Sequence, residues 1–291
     1  MFTVVLITAP ESDGLSADLV ARLQARWGGG APRWLAPAEA AEFDVETQPP
    51  DLWAVWEECQ AAGVDMVVLP AQGRRKKMLL ADMDSTMIEQ ECIDELADAA
   101  GVGPRVKEIT ARAMNGELDF EGALRERVRL LKGLPATVIN EVIAERITLM
   151  PGGRALLGTM KAHGGHAALV SGGFTAFTAR IAATLGFDEH RANTLLVAEG
   201  QLTGTVGLPI LGQQAKVDAL AEITARLGIE AADVITVGDG ANDLGMLQRA
   251  GMGVALHAKP AVAAQCDIRV NFGDLTALLY LQGYAKSDFV V

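Results

Sequence analysis

From residue 151 onward the hydrophobic pattern alternates between two periods, and this constrains the fold more than any other feature. A helix over 153–162 precedes an apolar strand over 166–170 and a helix over 174–185. A hairpin over 195–210, turning at Glu199-Gly200, interrupts the series. Helices over 213–227, 243–250 and 260–265 then alternate with strands over 233–237, 253–256 and 268–270. Such alternation predicts an α/β parallel sheet with right-handed crossovers. Ligands of these sheets sit beyond the C-terminal strand ends.

Three segments place reactive groups at such ends. The first is LLADMDST, 79–86, an apolar run ending in Asp82 and Asp84. In extended chain, residues two apart point to one side, so both carboxylates face one pocket if the strand lasts that far. Such a pair can bind a hard cation, attack phosphorus or pass a proton. An ordinary Asp/Ser turn is the competing reading, and this segment alone leaves both open.

The second is VSGGF, 170–174, where Ser171, Gly172 and Gly173 lie between a strand and a helix N-terminus. It is a plausible phosphate cradle and a weak signal alone. The third is VGDGANDLGML, 237–247. Asp239 lies at a strand end there, and Asp243 has helix capping as its simple structural role. Several acids in one cleft repel unless a divalent cation neutralises them, and Mg²⁺ suits carboxylates with phosphate oxygens. Lys216 sits early in its helix, against the dipole preference, which a bound phosphate would explain.

Charge sharpens the weight of that lysine. Asp plus Glu number 37 and Lys plus Arg 25, a net charge of −12. So acidic a chain is a poor general partner for nucleic acid or an anionic membrane. An anionic substrate then needs individual cations at its site. No apolar run reaches the ~20 residues of a membrane span, and the N-terminus lacks a secretory n-region. Cys59, Cys92 and Cys266 have neither disulfide-framework nor zinc spacing, so reduced core thiols and a cytoplasmic location are expected.

Residues 1–75 read as a small α+β unit: strand 2–8, helix 15–26, short strand 33–35, helix 52–62, strand 65–69. The basic run 71–77 is the best linker candidate, with a solvated connection as its simplest role. Residues 88–149 read as helices over 89–99, 104–115, 120–131 and 135–146, separated by Gly101, Gly116 and Gly133. Turn chemistry explains His163 and His166 better than a metal pair, and Trp34, Trp53 and Trp56 read as N-terminal core or interface.

The ordered set DxDST, SGG, Lys and GDGAND resembles the haloacid-dehalogenase-like (HAD) superfamily of aspartate-nucleophile phosphohydrolases over about 76–285. Within it, 82–97 and 114–135 resemble the phosphoserine phosphatase family. The resemblance implies a Rossmann-like parallel sheet core, 76–87 with 150–291. It implies a helical cap, 88–149, inserted after the first core strand, and an N-terminal domain, 1–75, that is ACT-like or degenerate. It further implies O-phosphoserine hydrolysis through an aspartyl-phosphate, with Asp82 as nucleophile and Asp84 as acid and base. Ser171, Gly172 and Lys216 would bind phosphate. Glu91, Arg127, Met114, Phe120 and Asn242 would serve the substrate side. Mg²⁺ would be held by Asp82, Asp239, Asp243 and the Asp84 carbonyl. A homodimer is compatible with the family's habits. An enzyme for another small phosphomonoester, or an amino-acid-binding regulatory protein, remains the alternative.

Overall fold

The computed structural model describes residues 1–10, 12, 14–114 and 117–291, the side chain of Met114 excepted. Asn115, Gly116 and the Met114 side chain therefore lie outside the described residues.

The chain opens with β1 (Phe2–Thr8), α1 (Ala17–Trp27), β2 (Arg33–Ala36), β3 (Ala40–Val45), α2 (Leu52–Ala61) and β4 (Val64–Pro70). Next come β5 (Met78–Ala81) and four helices, α3 (Cys92–Ala99), α4 (Gly103–Met114), α5 (Phe120–Arg129) and α6 (Val138–Glu145). Then follow α7 (Gly153–Ala162), β6 (His166–Phe174), α8 (Thr175–Leu185), β7 (Glu189–Asn193), β8 (Leu195–Ala198), β9 (Gln201–Val206) and α9 (Gln213–Leu227). The series closes with β10 (Val234–Gly238), α10 (Leu244–Leu247), β11 (Met252–Leu256), α11 (Pro260–Ala263), β12 (Ile268–Val270) and α12 (Ala277–Leu281). A six-stranded sheet has the order β12-β11-β10-β5-β6-β7, and a four-stranded sheet the order β2-β3-β1-β4. The α/β class and the extra antiparallel sheet agree with the sequence reading.

Two compact units divide the chain: Met1–Leu79 with Pro151–His166 and Thr224–Val291, and Leu80–Met150 with Ala167–Ile223. In the first, β1 pairs antiparallel with both β3 and β4. Val4 and Leu6 of β1 pack with Val20, Leu23, Val55 and Cys59 of α1 and α2. Val5 and Ile7, on the opposite side of the pleat, are equally buried, and α12 packs against this strand. β10, β11 and β12 pair in parallel.

Polar groups latch this first unit together. The basic run 71–77 is only partly the solvated connection expected: Gln72, Gly73, Arg75 and Lys77 are exposed, but Arg74 is anchored. Arg74 donates to Glu42 at 2.8 Å and to the carbonyls of Leu281 and Tyr280 at 2.9 and 3.0 Å. Arg75 lies over the Tyr284 ring, 3.7 Å from its centroid. Glu42 also pairs with Arg33. Asp65, on β4, accepts the backbone N–H groups of Asn271, Phe272 and Gly273 at 2.8–2.9 Å. Burial nonetheless pushes the Asp65 carboxyl up, the three donors opposing it. Arg269 lies over the rings of Trp53 and Trp56. His163 ends α7, its Nδ1 2.9 Å from the Thr159 carbonyl oxygen, in the expected turn.

The second unit carries α3 to α6, β6 to β9, α8 and α9. Ile93, Leu96, Val106, Leu124, Val128, Ile139 and Val142 form buried faces of its first four helices. Each fully buried aliphatic side chain stabilises by about 2 kcal/mol. The β8–β9 hairpin turns at Glu199-Gly200, both with positive φ, as a tight two-residue turn requires. Among the described residues, no helix is long and apolar enough to cross a membrane.

Removing one partner of a buried ion pair leaves an uncompensated charge. Arg74→Ala is therefore expected to lower unfolding stability by about 3 kcal/mol in urea titrations, whereas Arg125→Ala, which breaks only the exposed pair with Glu121, should change it by under about 0.5 kcal/mol.

Candidate active site

The four residues of β5 are fully buried, and the strand ends at Ala81. The two-residue spacing of a strand therefore does not set Asp84. Instead the chain turns: the Met83 carbonyl accepts the N–H groups of Thr86, Met87 and Ile88, and Ser85 adopts φ 53°. The turn brings Asp84 to the start of α3, where the Cys92 N–H donates to Oδ1 at 3.1 Å and the thiol to Oδ2 at 3.4 Å. Burial pushes the Asp84 carboxyl well above the usual carboxylate range, with Glu91 and Asp82 adding repulsion and Cys92 opposing. That direction favours the protonated acid.

Asp82 is 4% exposed and Lys216 1%. The Lys216 ammonium lies 2.8 Å from Asp82 Oδ1, which also accepts the Met83 N–H at 2.7 Å. A lysine so buried requires a charged partner. Its place in the first turn of α9 aims it at the end of β5.

Ser171, Gly172 and Gly173 belong to β6, which runs past the predicted end at Val170. The β6–β7 register shifts between Val170 and Phe174: Val170 faces Arg191, and Phe174 faces Asn193. The three residues thus form a bulge with no partner on β7. Gly173 N–H donates to Ser171 Oγ at 2.8 Å. A Cβ on Gly173 would lie 2.7 Å from Asp84 Oδ2, 2.9 Å from Cys92 Sγ and 3.1 Å from Ser171 Oγ, so glycine is required there.

Of the predicted cap residues, Phe120 lies against this bulge. The Phe120 ring lies against two glycines: Cβ atoms on Gly172 and Gly212 would each stand 3.2 Å from it. Asp119 caps the helix that carries it, accepting the Gly122 N–H at 2.7 Å. Glu91 accepts the Ser85 hydroxyl at 2.8 Å. Arg127 is half-buried on α5, whereas Arg125 and Arg129 are exposed. Desolvation lowers the Arg127 guanidinium, and the charges of Asp94, Glu91 and Asp84 counter it. The guanidinium therefore lies within the field of three acids.

Asp82, Asp84, Glu91, Phe120, Arg127, Ser171, Gly172 and Lys216 all fall in the second compact unit. Asp239, Asn242 and Asp243 fall in the first. There, both aspartates are buried and their carboxylate oxygens approach within 4.8 Å. Asp243 occupies the N-cap position of α10 without a cap hydrogen bond. It turns back to accept the Gly240 N–H at 3.0 Å. A Cβ on Gly238 would stand 2.3 Å from the Asp243 carboxyl carbon, and one on Gly240 2.2 Å from Asn242 Oδ1. Two glycines thus let the loop fold onto its own acids. Sequence reasoning missed Cys92, Asp94 and Asn193. Asp94 was findable, being three residues beyond Glu91 and so on the same helix face.

The site thus sets an acid at one strand end, a buried lysine beside it and a glycine bulge on β6. The family model for haloacid dehalogenase-like hydrolases matches residues 79–248, and the chain belongs to that family. A phosphoserine phosphatase from Streptomyces coelicolor is 42% identical over 257 residues, 87% of this chain and 62% of that protein. One from Lactococcus lactis is 44% identical over 204 residues, 70% of this chain and 94% of that protein. The crystal structure of a HAD-family hydrolase from Salmonella enterica serovar Typhi matches with TM-score 0.86 and 32% identity, covering 97% of this chain and 98% of that one. The chain spans 60–65% of the length of the Streptomyces relative and of three other curated phosphoserine phosphatases.

All three cysteines are buried. Burial, with Asp84 adding repulsion, pushes the Cys92 thiol well up. Desolvation raises Cys59 to about 11 and Cys266 in the same direction. Native protein at pH 8 should therefore react with a thiol-specific disulfide reagent slowly, and urea should release all three equivalents. Rapid native labelling of Cys92 would show that it is not the protonated donor to Asp84.

Proposed function

We propose that the chain is a Mg²⁺-dependent phosphoserine phosphatase, hydrolysing O-phospho-L-serine to L-serine and phosphate. The observation that carries this reading is the buried Lys216–Asp82 contact at 2.8 Å, which pairs a carboxylate nucleophile with a cation suited to phosphoryl oxygens. The curated relatives carrying that name support the substrate.

In the proposed mechanism, Asp82 attacks phosphorus and forms an aspartyl-phosphate as the serine oxygen departs. Asp84 gives that oxygen its proton, then takes one from the water that hydrolyses the intermediate. Lys216, the Ser171 hydroxyl and the Gly172 N–H bind the phosphoryl oxygens and stabilise their transition-state charge. Arg127 takes the substrate carboxylate and Glu91 its ammonium. Phe120 closes the cap over the pocket and excludes water, and the family resemblance gives Met114 the companion lid role.

Asp82, Asp239, Asp243 and the Asp84 carbonyl would hold the metal. The all-oxygen, acidic donor set and the close approach of Asp239 to Asp243 fit a hard divalent cation. Bound there, Mg²⁺ would neutralise the acids and polarise the phosphoryl group. Asn242 would order the same loop.

The domain reading is 1–75 as N-terminal domain, 76–87 with 150–291 as core, and 88–149 as cap. Three buried free thiols support a reducing compartment such as the cytoplasm. Trp34, 38% exposed on strand β2 at the edge of its sheet, supports a homodimer through residues 1–75, which light scattering can measure.

Phosphate release from O-phospho-L-serine should require Mg²⁺ and exceed release from a panel of other phosphomonoesters. Chelation should abolish it. Asp82→Asn should lower turnover on the order of 10⁴-fold or more. Arg127→Glu should cost phosphoserine turnover roughly 100-fold more than p-nitrophenyl phosphate turnover. Equal losses on both esters would remove the carboxylate role of Arg127. Hydrolysis of other esters without phosphoserine would overturn the substrate assignment.

A further inference from the structure

We propose that Asn193 is a positioning residue that locks the phosphoryl-binding bulge to the segment feeding the Lys216 helix; this rests on the phosphoryl-site reading above. Asn193 is buried at the end of β7, in register with Phe174 just beyond the bulge. Nδ2 donates to the Gly172 carbonyl at 2.8 Å and to the Leu211 carbonyl at 3.0 Å. Oδ1 accepts the Leu211 N–H at 2.7 Å. Both amide donors are therefore spent on two segments, one 21 residues before and one 18 residues after Asn193.

The consequences follow from peptide geometry. In a planar trans peptide the C=O and the next N–H point in opposite directions. With the Gly172 carbonyl held by Asn193, the Gly173 N–H is directed away from it, and there it meets Ser171 Oγ. Because Oγ accepts that hydrogen bond, the hydroxyl hydrogen remains to donate, as an anionic phosphoryl oxygen requires. On the other side, Leu211 is held through both its N–H and its C=O, two residues before α9 begins at Gln213. The first turn of that helix carries Lys216. One buried carboxamide thus fixes the hydroxyl and the ammonium against each other. The same two segments supply Gly172 and Gly212, the glycines on which Phe120 rests.

Asn193→Asp keeps the shape and the acceptor, and replaces the one nitrogen that makes both donations with an oxygen facing two carbonyl oxygens. The test compares wild type, N193D, S171A and the double variant. Calorimetry would measure inorganic phosphate affinity with Mg²⁺ present, and steady-state assays would give kcat and KM for phosphoserine and p-nitrophenyl phosphate. Thermal melts would accompany each variant. N193D should weaken phosphate binding and lower kcat for both esters by roughly 10- to 100-fold. In the Ser171→Ala background the same change should cost less than about threefold further, the sign of coupled residues. Equal losses in both backgrounds, no loss, or losses that follow the melting temperature would overturn the proposal. If N193D does not fold, Asn193→Ala, which introduces no buried charge, carries the same comparison. A wild type that binds phosphate but hydrolyses no ester would sink the phosphatase reading and leave the Asn193 comparison to be decided on binding. A wild type that binds no phosphate would overturn both.

Discussion

The contact between the Lys216 ammonium and the Asp82 carboxylate organises the rest of the site. Taking each ion out of water costs several kcal/mol, and their attraction repays it only with good geometry. An apolar pair of similar volume would serve stability as well. The cation also stands in the first turn of a helix, where the dipole disfavours it. Under the proposed function both costs acquire a purpose, because the cation is held ready for phosphoryl oxygens. β5 must end at one residue, α9 must begin at another, and the bulge in β6 must stand out of register with β7.

Much of this arrangement was legible because it rests on local pattern. The apolar run of β5 followed at once by acids locates a strand end, and Ser-Gly-Gly marks a break after Val170, although β6 runs on through a bulge to Phe174. Glu199-Gly200 marked a hairpin whose two turn residues have positive φ. The reasoning from strand spacing reached Asp84 by the wrong route: a turn and the start of α3 place it, and neither is encoded in a two-residue period. Arg127 differs from Arg125 and Arg129 only in what the cap folds around it, so pattern alone could not single it out.

The elements that escaped prediction share a dependence on distant partners. β3 carries Glu42 and Asp44, which read as surface charge until Arg33, Arg74 and Thr3 are beside them. β7, with the sequence Glu-His-Arg-Ala-Asn, looks like a loop, yet its last residue is tied to carbonyls 18 and 21 positions away. α12 has five residues, all buried, which is too short for helical periodicity to register. The basic run 71–77 looked like a solvated tether because its partners, Tyr280, Leu281 and Tyr284, lie some 200 residues later.

That last separation has a consequence for how the chain is made. Asp65 finds its three backbone donors 206 to 208 residues further along. At a ribosomal rate of about 5–20 residues per second, that interval lasts between about 10 and 40 s. Throughout it, Asp65 lacks the groups that will satisfy it, and Arg74 waits as long for the carbonyls of Tyr280 and Leu281. Hydration of those charged groups keeps the waiting surface polar while the other half of the chain is still being synthesised.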